Sequence, residues 1–238
     1  MRTNGGFLSG TRLRADLGEP AGGVGVEVRF DRALYDDRDF ERHGISFPER
    51  LGRAVASRRA EYLAGRIAAA HALAAIGIRG AQIGSGAHRE PLWPAGVSGS
   101  ISHSAQTALC VVARRPDLCL GIDVERIVDD TLRGSISTQV LRADERPLSA
   151  SAPKLDNAAF TAAFSAKESL FKALFPVVGR FFGFEAARVR ALDLDEGSMQ
   201  LELAVDLASF RAGTAFDVAV GRERDEIVTL IAAEAPRG

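Results

Sequence analysis

The sequence is short of lysine. Of its 30 basic residues only Lys154, Lys167 and Lys172 are lysines, and the other 27 are arginines. Positive charge is written as arginine by default, so each lysine raises a question of chemistry. Cysteine is scarce too: Cys110 and Cys119 cannot make a disulfide framework for 238 residues, and they read as small buried hydrophobes rather than a redox pair. No run of about 18 uncharged apolar residues occurs, so no membrane-spanning helix and no membrane partner are expected. Met1–Gly18 carries arginines and glycines without an apolar core, so no signal peptide is expected and a reducing cytoplasm is the expected location. Net charge is −1, and there are one tryptophan and two tyrosines. That balance excludes a generic nucleic-acid-binding surface. Hydrophobic residues make up 46%, the composition of a folded chain rather than a disordered one.

The patterning alternates between strand and helix. Residues 1–23 are Gly-rich and polar and read as a loose arm. Val24–Phe30, Thr107–Ala113 and Leu118–Glu125 alternate like strands, and Arg114–Asp117 between the last two reads as a hairpin turn. A helical stretch is predicted to open at Ser46-Phe47-Pro48 and to continue over Ser57–Ile76, closed by Gly77. Residues 78–99 read as loop and 127–157 as a polar region. A second helix is predicted over Ala158–Phe175, ended by Pro176 and Gly179. Further strands are predicted near Met199–Val205, Ala215–Gly221 and Ile227–Ala233. This is an α+β pattern, compatible with two similar halves meeting near residue 120.

Three constellations carry chemistry. In Gly121-Ile122-Asp123-Val124-Glu125, strand periodicity puts Asp123 and Glu125 on one face. Two adjacent carboxylates are unfavourable without a cation or shared proton, and a hard divalent ion such as Mg²⁺ is the natural partner; the plain alternative is a solvated strand end. In FSAKESLFK (164–172), Phe164, Glu168, Phe171, Lys172 and Phe175 fall along one helical stripe, so Glu168 and Lys172 interrupt an apolar face. They form either an i,i+4 ion pair at its edge, or a third metal ligand with an ammonium aimed at an anion. On the first helix Arg58, Arg59 and Arg66 share a face, as a solvated surface or a phosphate-binding row. Arg89 follows beside Trp93, and Ser102 and His103 are polar groups able to bind phosphate oxygens.

Taken in order, RRAEYLAGRIAAAHALAAIG, REPLWPAGVSGSISHS, GIDVE and FSAKESLFK resemble the 4′-phosphopantetheinyl transferases, and within them the enterobactin synthase component D-like branch. The resemblance covers roughly residues 45–175. It implies a pseudo-dimer of two similar α+β halves, residues 1–120 and 121–238, with coenzyme A bound in the cleft between them. The N-terminal half would bind the coenzyme A phosphates; the C-terminal half would carry the metal site and catalytic helix. The implied reaction is Mg²⁺-dependent transfer of 4′-phosphopantetheine from coenzyme A to a serine of an apo carrier protein, releasing adenosine 3′,5′-bisphosphate. Carried over by position, Asp123, Glu125 and Glu168 match the metal ligands, Glu168 also the base, and Lys172 the lysine on the coenzyme A phosphates. Arg58, Arg66, Arg89, Ser102 and His103 match contacts to the cofactor's phosphates and nucleotide end. A pseudo-dimeric chain has little need of a second copy, so a monomer is expected. Phe164 stands where the family usually has Trp, and His88 where many relatives have Lys.

Other readings of the same residues are a metal-dependent phosphodiesterase or nuclease, a nucleotide module on Gly84-Ser85-Gly86, and a catalytically silent carrier-binding relative. The glycine run lacks the strand–helix context and third glycine of a dinucleotide loop. Phe181 and Phe182 are read as core packing, with a docking patch for the carrier as the alternative.

Overall fold

The structure is a computed structural model, and it describes residues 6–145 and 156–236. Lys154 lies outside the described residues. The chain divides into two units, Met1–Pro116 and Asp117–Gly238, so the strand that carries Asp123 belongs whole to the second.

The first unit is a four-stranded antiparallel sheet with one long helix. Strands β1 (Leu8–Arg14), β2 (Val24–Phe30), β5 (Ser98–His103) and β6 (Thr107–Ala113) run in the order β1-β2-β6-β5. Short β3 (Gly84–Ser85) and β4 (Pro91–Leu92) pair apart from it. Helices α1 (Ala15–Gly18) and α2 (Asp39–Arg42) are single turns, and α3 (Ala56–Ala75) packs on the sheet. Alternate residues Val26, Val28 and Phe30 of β2 and Ala108, Cys110 and Val112 of β6 form one core with Leu63, Ile67 and Leu73 of α3. Small residues on α3 bring helix and sheet close: a Cβ on Gly65 would lie 2.9 Å from Ile101 Cγ2.

The second unit repeats that plan with other pieces. Strands β7 (Leu118–Arg126), β8 (Ala187–Asp193), β9 (Ser198–Leu203), β10 (Ala215–Glu223) and β11 (Glu226–Glu234) form an antiparallel sheet ordered β7-β11-β10-β9-β8. Helix α4 (Asp130–Val140) leads to α5 (Asn157–Val178), which packs on β7 and β11. Asp156 caps α5 by accepting from the Ala159 N–H, and Gly179, at φ 68°, ends it in the left-handed conformation that glycine adopts at little cost. Among the described residues no helix is long and apolar enough to cross a membrane.

The α+β expectation holds, and so do β2, β6, β7, both long helices and the last strands. Several expectations do not. Residues 46–48 are not helical, and α3 starts only at Ala56. Helix α5 runs through Pro176 to Val178, and the stretch 78–99 read as loop contains β3, β4 and the start of β5. The arm is structured from Phe7 onward: β1 pairs antiparallel with β2, held by Arg12 and Arg14 on Glu27 rather than by apolar alternation. Arg114–Asp117 is no hairpin turn, because β6 pairs with β2 and β5 while β7 pairs with β11. The polar region after residue 127 contains α4, whose capping Asp129 accepts from the Leu132 N–H. Phe181 is 77% exposed rather than core-packed, although Phe182 is half-buried against the second core.

Candidate active site

The second unit brings its four expected site residues together. Asp123 and Glu125 sit on β7, one opposite Thr229 and the other opposite Ile227 of β11, both on the side facing α5. Helix α5 can close on this strand because Gly121 has no side chain; a Cβ there would lie 1.9 Å from the Ser169 carbonyl oxygen. That close approach accounts for the glycine at the head of GIDVE. From α5, Lys172 reaches across. Its Nζ lies 2.7 Å from Asp123 Oδ1 and 3.2 Å from the Ile122 carbonyl oxygen. Lys172 pairs with buried Asp123 across the helix–strand contact, and its charge acts on Glu168 as well.

Three carboxylates and one ammonium leave an excess of negative charge. Burial and the Asp123 charge push the Glu125 carboxyl up to about 8, against the opposing pull of Lys172. Burial and the same neighbour raise Glu168 as well. Such a patch favours a cation, and its oxygen donors are hard ligands of the kind Mg²⁺ takes. Among the described residues no three His, Cys, Asp or Glu side chains form a ready-made chelate. The fit is one of charge and donor type, suited to an ion that keeps water and substrate oxygens in its shell.

The helix presents its faces differently from the expected stripe. Ala162, Ala166, Leu170, Ala173 and Leu174 are buried in the core, whereas Phe164 and Phe171 are half-buried and pack on Phe184 and on Phe175, Phe181 and Phe182. Beside Glu168, the rings of Phe171, Phe181, Phe182 and Phe184 line a cavity of about 120 Å³ together with Ala187. Lys167 points elsewhere. It is buried, with Nζ 2.7 Å from Glu145 Oε2 and 2.9 Å from the Val140 carbonyl, so it ties the end of α4 to α5. Glu145 also accepts from the N–H groups of Arg142 and Val189. The two described lysines thus divide into one structural tie and one candidate site residue.

In the first unit Arg58 meets His103: Arg58 Nη1 is 2.8 Å from His103 Nε2. A guanidinium only donates, so Nε2 accepts and the imidazole proton sits on Nδ1, which faces Glu61 Oε2 at 3.7 Å. Glu61 also receives Arg32 at 2.6 Å. Arg58, Arg59 and Arg66 do not form one row. Arg59 donates to the carbonyls of Leu51, Gly52 and Ala54 and pairs with Asp37. Arg66 is buried, its guanidinium 4.4 Å from the Tyr62 ring centroid, and it bonds the Ile83 and Gly84 carbonyls and Ser85 Oγ. It is built into the base of the loop that carries Arg89. Arg89 itself is exposed and adopts φ 71°, a conformation uncommon for a side-chain-bearing residue. Ser102 is buried, and strand alternation turns it to the face of β5 opposite His103, so the adjacent pair does not converge from one side. Cys110 and Cys119 are free, buried thiols, and burial pushes Cys119 up to about 11.

Sequence reasoning missed three buried hydroxyls behind Asp123, those of Ser165, Ser169 and Thr229. Their signal was available: serines four apart on a helix, facing a lone threonine in an apolar strand.

Known proteins resemble the chain over both units. Residues 47–113 match the 4′-phosphopantetheinyl transferase N-terminal domain, and residues 119–226 match the 4′-phosphopantetheinyl transferase superfamily domain. The chain is 39% identical over 170 residues to enterobactin synthase component D of Salmonella typhi, covering 70% of each. It is 36% identical over 142 residues to the 4′-phosphopantetheinyl transferase PptT of Mycobacterium tuberculosis, covering 58% of this chain and 61% of that one. With the 4′-phosphopantetheinyl transferase Svp of Streptomyces mobaraensis it shares 33% identity over 202 residues, 82% and 81% of the two chains. A buried aspartate tied to a lysine beside two under-neutralised glutamates thus lies within a matched transferase domain, and the chain belongs to the 4′-phosphopantetheinyl transferase superfamily as an enzyme of that class.

Proposed function

We propose that the chain transfers the 4′-phosphopantetheine group of coenzyme A to a serine hydroxyl of an apo carrier protein, with Mg²⁺ as the metal. The observation that carries this reading is the cluster of Asp123, Glu125, Glu168 and Lys172, in which three carboxylates face one ammonium. Asp123, Glu125 and Glu168 would hold the ion. When bound, it supplies charge neutralisation for the diphosphate and for the departing phosphate.

The chain's own residues supply the rest. Glu168, whose carboxyl is raised by burial, is suited to take the proton from the attacking serine. The serine oxygen bonds to the phosphorus next to pantetheine as the bond from that phosphorus to the bridging oxygen breaks. Adenosine 3′,5′-bisphosphate leaves with the electron pair. Lys172 places its ammonium at the same end of α5 and would stabilise charge on the transferred group. In the first unit, Arg58, His103 and Arg89 are proposed contacts for the cofactor's phosphates. Arg66 contributes by fixing the Arg89 loop, and Ser102 is proposed from its position on β5.

The test is incubation with coenzyme A, Mg²⁺ and a panel of apo carrier proteins, read by intact mass. One added phosphopantetheine on a carrier is the expected result; no gain on any carrier overturns the reading. A parallel arm with DNA and RNA in Mg²⁺ should give no cleavage, and cleavage there would favour the phosphodiesterase reading.

A further inference from the structure

A row of buried hydroxyls runs behind Asp123. Ser165 and Ser169 lie one turn apart on α5, on the same side of the helix. Thr229 enters between them from β11, where it stands opposite Asp123. All three side chains are fully buried. Ser165 Oγ donates to Asp123 Oδ2 at 2.9 Å. The hydroxyl oxygens of Ser165 and Thr229 are 2.9 Å apart, and those of Thr229 and Ser169 are 2.8 Å apart. Ser169 Oγ also donates to the Thr229 carbonyl oxygen at 3.0 Å.

A hydroxyl has one proton to donate. Ser165 gives its proton to Asp123, and Ser169 gives its own to the Thr229 carbonyl. Thr229 has one proton and two serine oxygens within reach, and given to Ser165 it braces the serine that holds the carboxylate. The other oxygen of Asp123, Oδ1, takes Lys172. Both carboxylate oxygens are thus held by side chains of one helix, Ser165 and Lys172, seven residues apart.

Packing does not require this polarity. Thr229 is flanked on the same face of β11 by Ile227 and Ile231, and α5 buries Ala162, Ala166 and Ala173 against the same core. Valine or alanine would fill these places, and a buried hydroxyl brings a desolvation cost that an apolar side chain does not. The row therefore calls for a role beyond holding helix to strand.

We propose that Ser165, Thr229 and Ser169 are positioning residues that hold Asp123 in one orientation for the divalent cation of the transfer reaction. The inference rests on the proposed role of Asp123. Groups that orient ligands in this way change metal affinity or activity by about ten- to hundredfold when removed.

The test compares Thr229→Val, which keeps the shape and removes the hydroxyl, with Thr229→Ser, which keeps the hydroxyl. Ser165→Ala is the second probe and serves if Thr229→Val fails to fold. Coenzyme A binding to the full chain is titrated calorimetrically at a series of Mg²⁺ concentrations, with no carrier present and no turnover. Thermal midpoints are recorded beside it. The expected result is an approximately tenfold rise in half-saturating Mg²⁺ for Thr229→Val, a rise at least as large for Ser165→Ala, and a value near wild type for Thr229→Ser. A wild-type Mg²⁺ requirement in Thr229→Val and Ser165→Ala, whatever their melting, would overturn the proposal and leave the row as helix–strand attachment. The wild type is assayed in parallel for transfer to apo carriers. If it transfers and the variants do not move, only this inference falls; if it modifies no carrier, the proposed function falls and takes this inference with it.

Discussion

Two glutamates, one in the sheet of each unit, are displaced in opposite directions. Glu27, on β2 of the first unit, is 2% exposed; burial pushes its carboxyl up, but hydrogen bonds from Arg12, Arg29 and Arg14 together bring it down to about 2. Glu125, on β7 of the second unit, is also taken out of water, and there burial and the charges of Asp123 and Glu168 outweigh Lys172 and push it up to about 8. The first cluster has three guanidiniums on one carboxylate, at 2.7–2.8 Å. The second has one ammonium among three carboxylates. A charge buried with full compensation is structural; a charge buried without it is poised for something the chain does not itself contain.

The contrast yields predictions of graded size. The largest is Glu168→Ala, which should lower the transfer rate by about 10²–10⁴-fold with thermal unfolding little changed; transfer at the native rate would remove Glu168 from the site. Next, Glu27→Gln should destabilise the chain by about 2–4 kcal/mol, mostly through buried Arg14, since Arg12 is half-exposed. A carboxyl lowered in the folded state gives stability that is present above its ordinary value near 4.5 and lost as pH falls through about 2. Urea unfolding at pH 5 and pH 3 should therefore show a smaller loss on acidification in Glu27→Gln than in wild type. Equal losses would mean that Glu27 is not the charge that responds.

Smaller effects are expected on the other side of the comparison. Lys172→Arg keeps the charge but exchanges a compact ammonium for a planar guanidinium, and should cost about tenfold in transfer rate; full activity would show that charge alone suffices. Glu125→Gln should have the opposite stability sign to Glu27→Gln. A carboxyl raised in the folded state loses stability as pH rises from about 4.5 toward 8. Its removal should stabilise the metal-free chain at pH 8 by about 1 kcal/mol, discounted for the water that still reaches the group, while lowering transfer. Destabilisation by both glutamine variants would break the contrast.

Much of the second unit's site was legible in the sequence, because its chemistry follows backbone period: Asp123 and Glu125 two apart on a strand, Glu168 and Lys172 four apart on a helix. What was hidden depends on contacts between distant segments. Strand β1 has no apolar alternation to betray it, since Arg12 and Arg14 bond Glu27 across the ladder. Arg66 reads as surface by composition, yet Tyr62 and the carbonyls of Ile83 and Gly84 enclose it. The turn after β6 looks like a hairpin because the flanking strands are equally apolar, and only sheet membership separates them. The hydroxyl row shows in the sequence only as two serines four apart and one threonine among apolar residues, and the pairing of the two segments is what gives that spacing a meaning. Phe181 looks like core by residue type, but it lies past the helix end, on the surface.

In the proposed reaction the carboxylate cluster of the second unit, with a divalent cation, carries phosphopantetheinyl transfer. The most direct measurement is the intact mass of an apo carrier protein after incubation with coenzyme A. It compares wild type with Mg²⁺, wild type with excess chelator, and Asp123→Ala with Mg²⁺. One added phosphopantetheine is expected in the first sample and none in the other two, with Asp123→Ala still folded. Full modification by the chelated enzyme or by Asp123→Ala would contradict it.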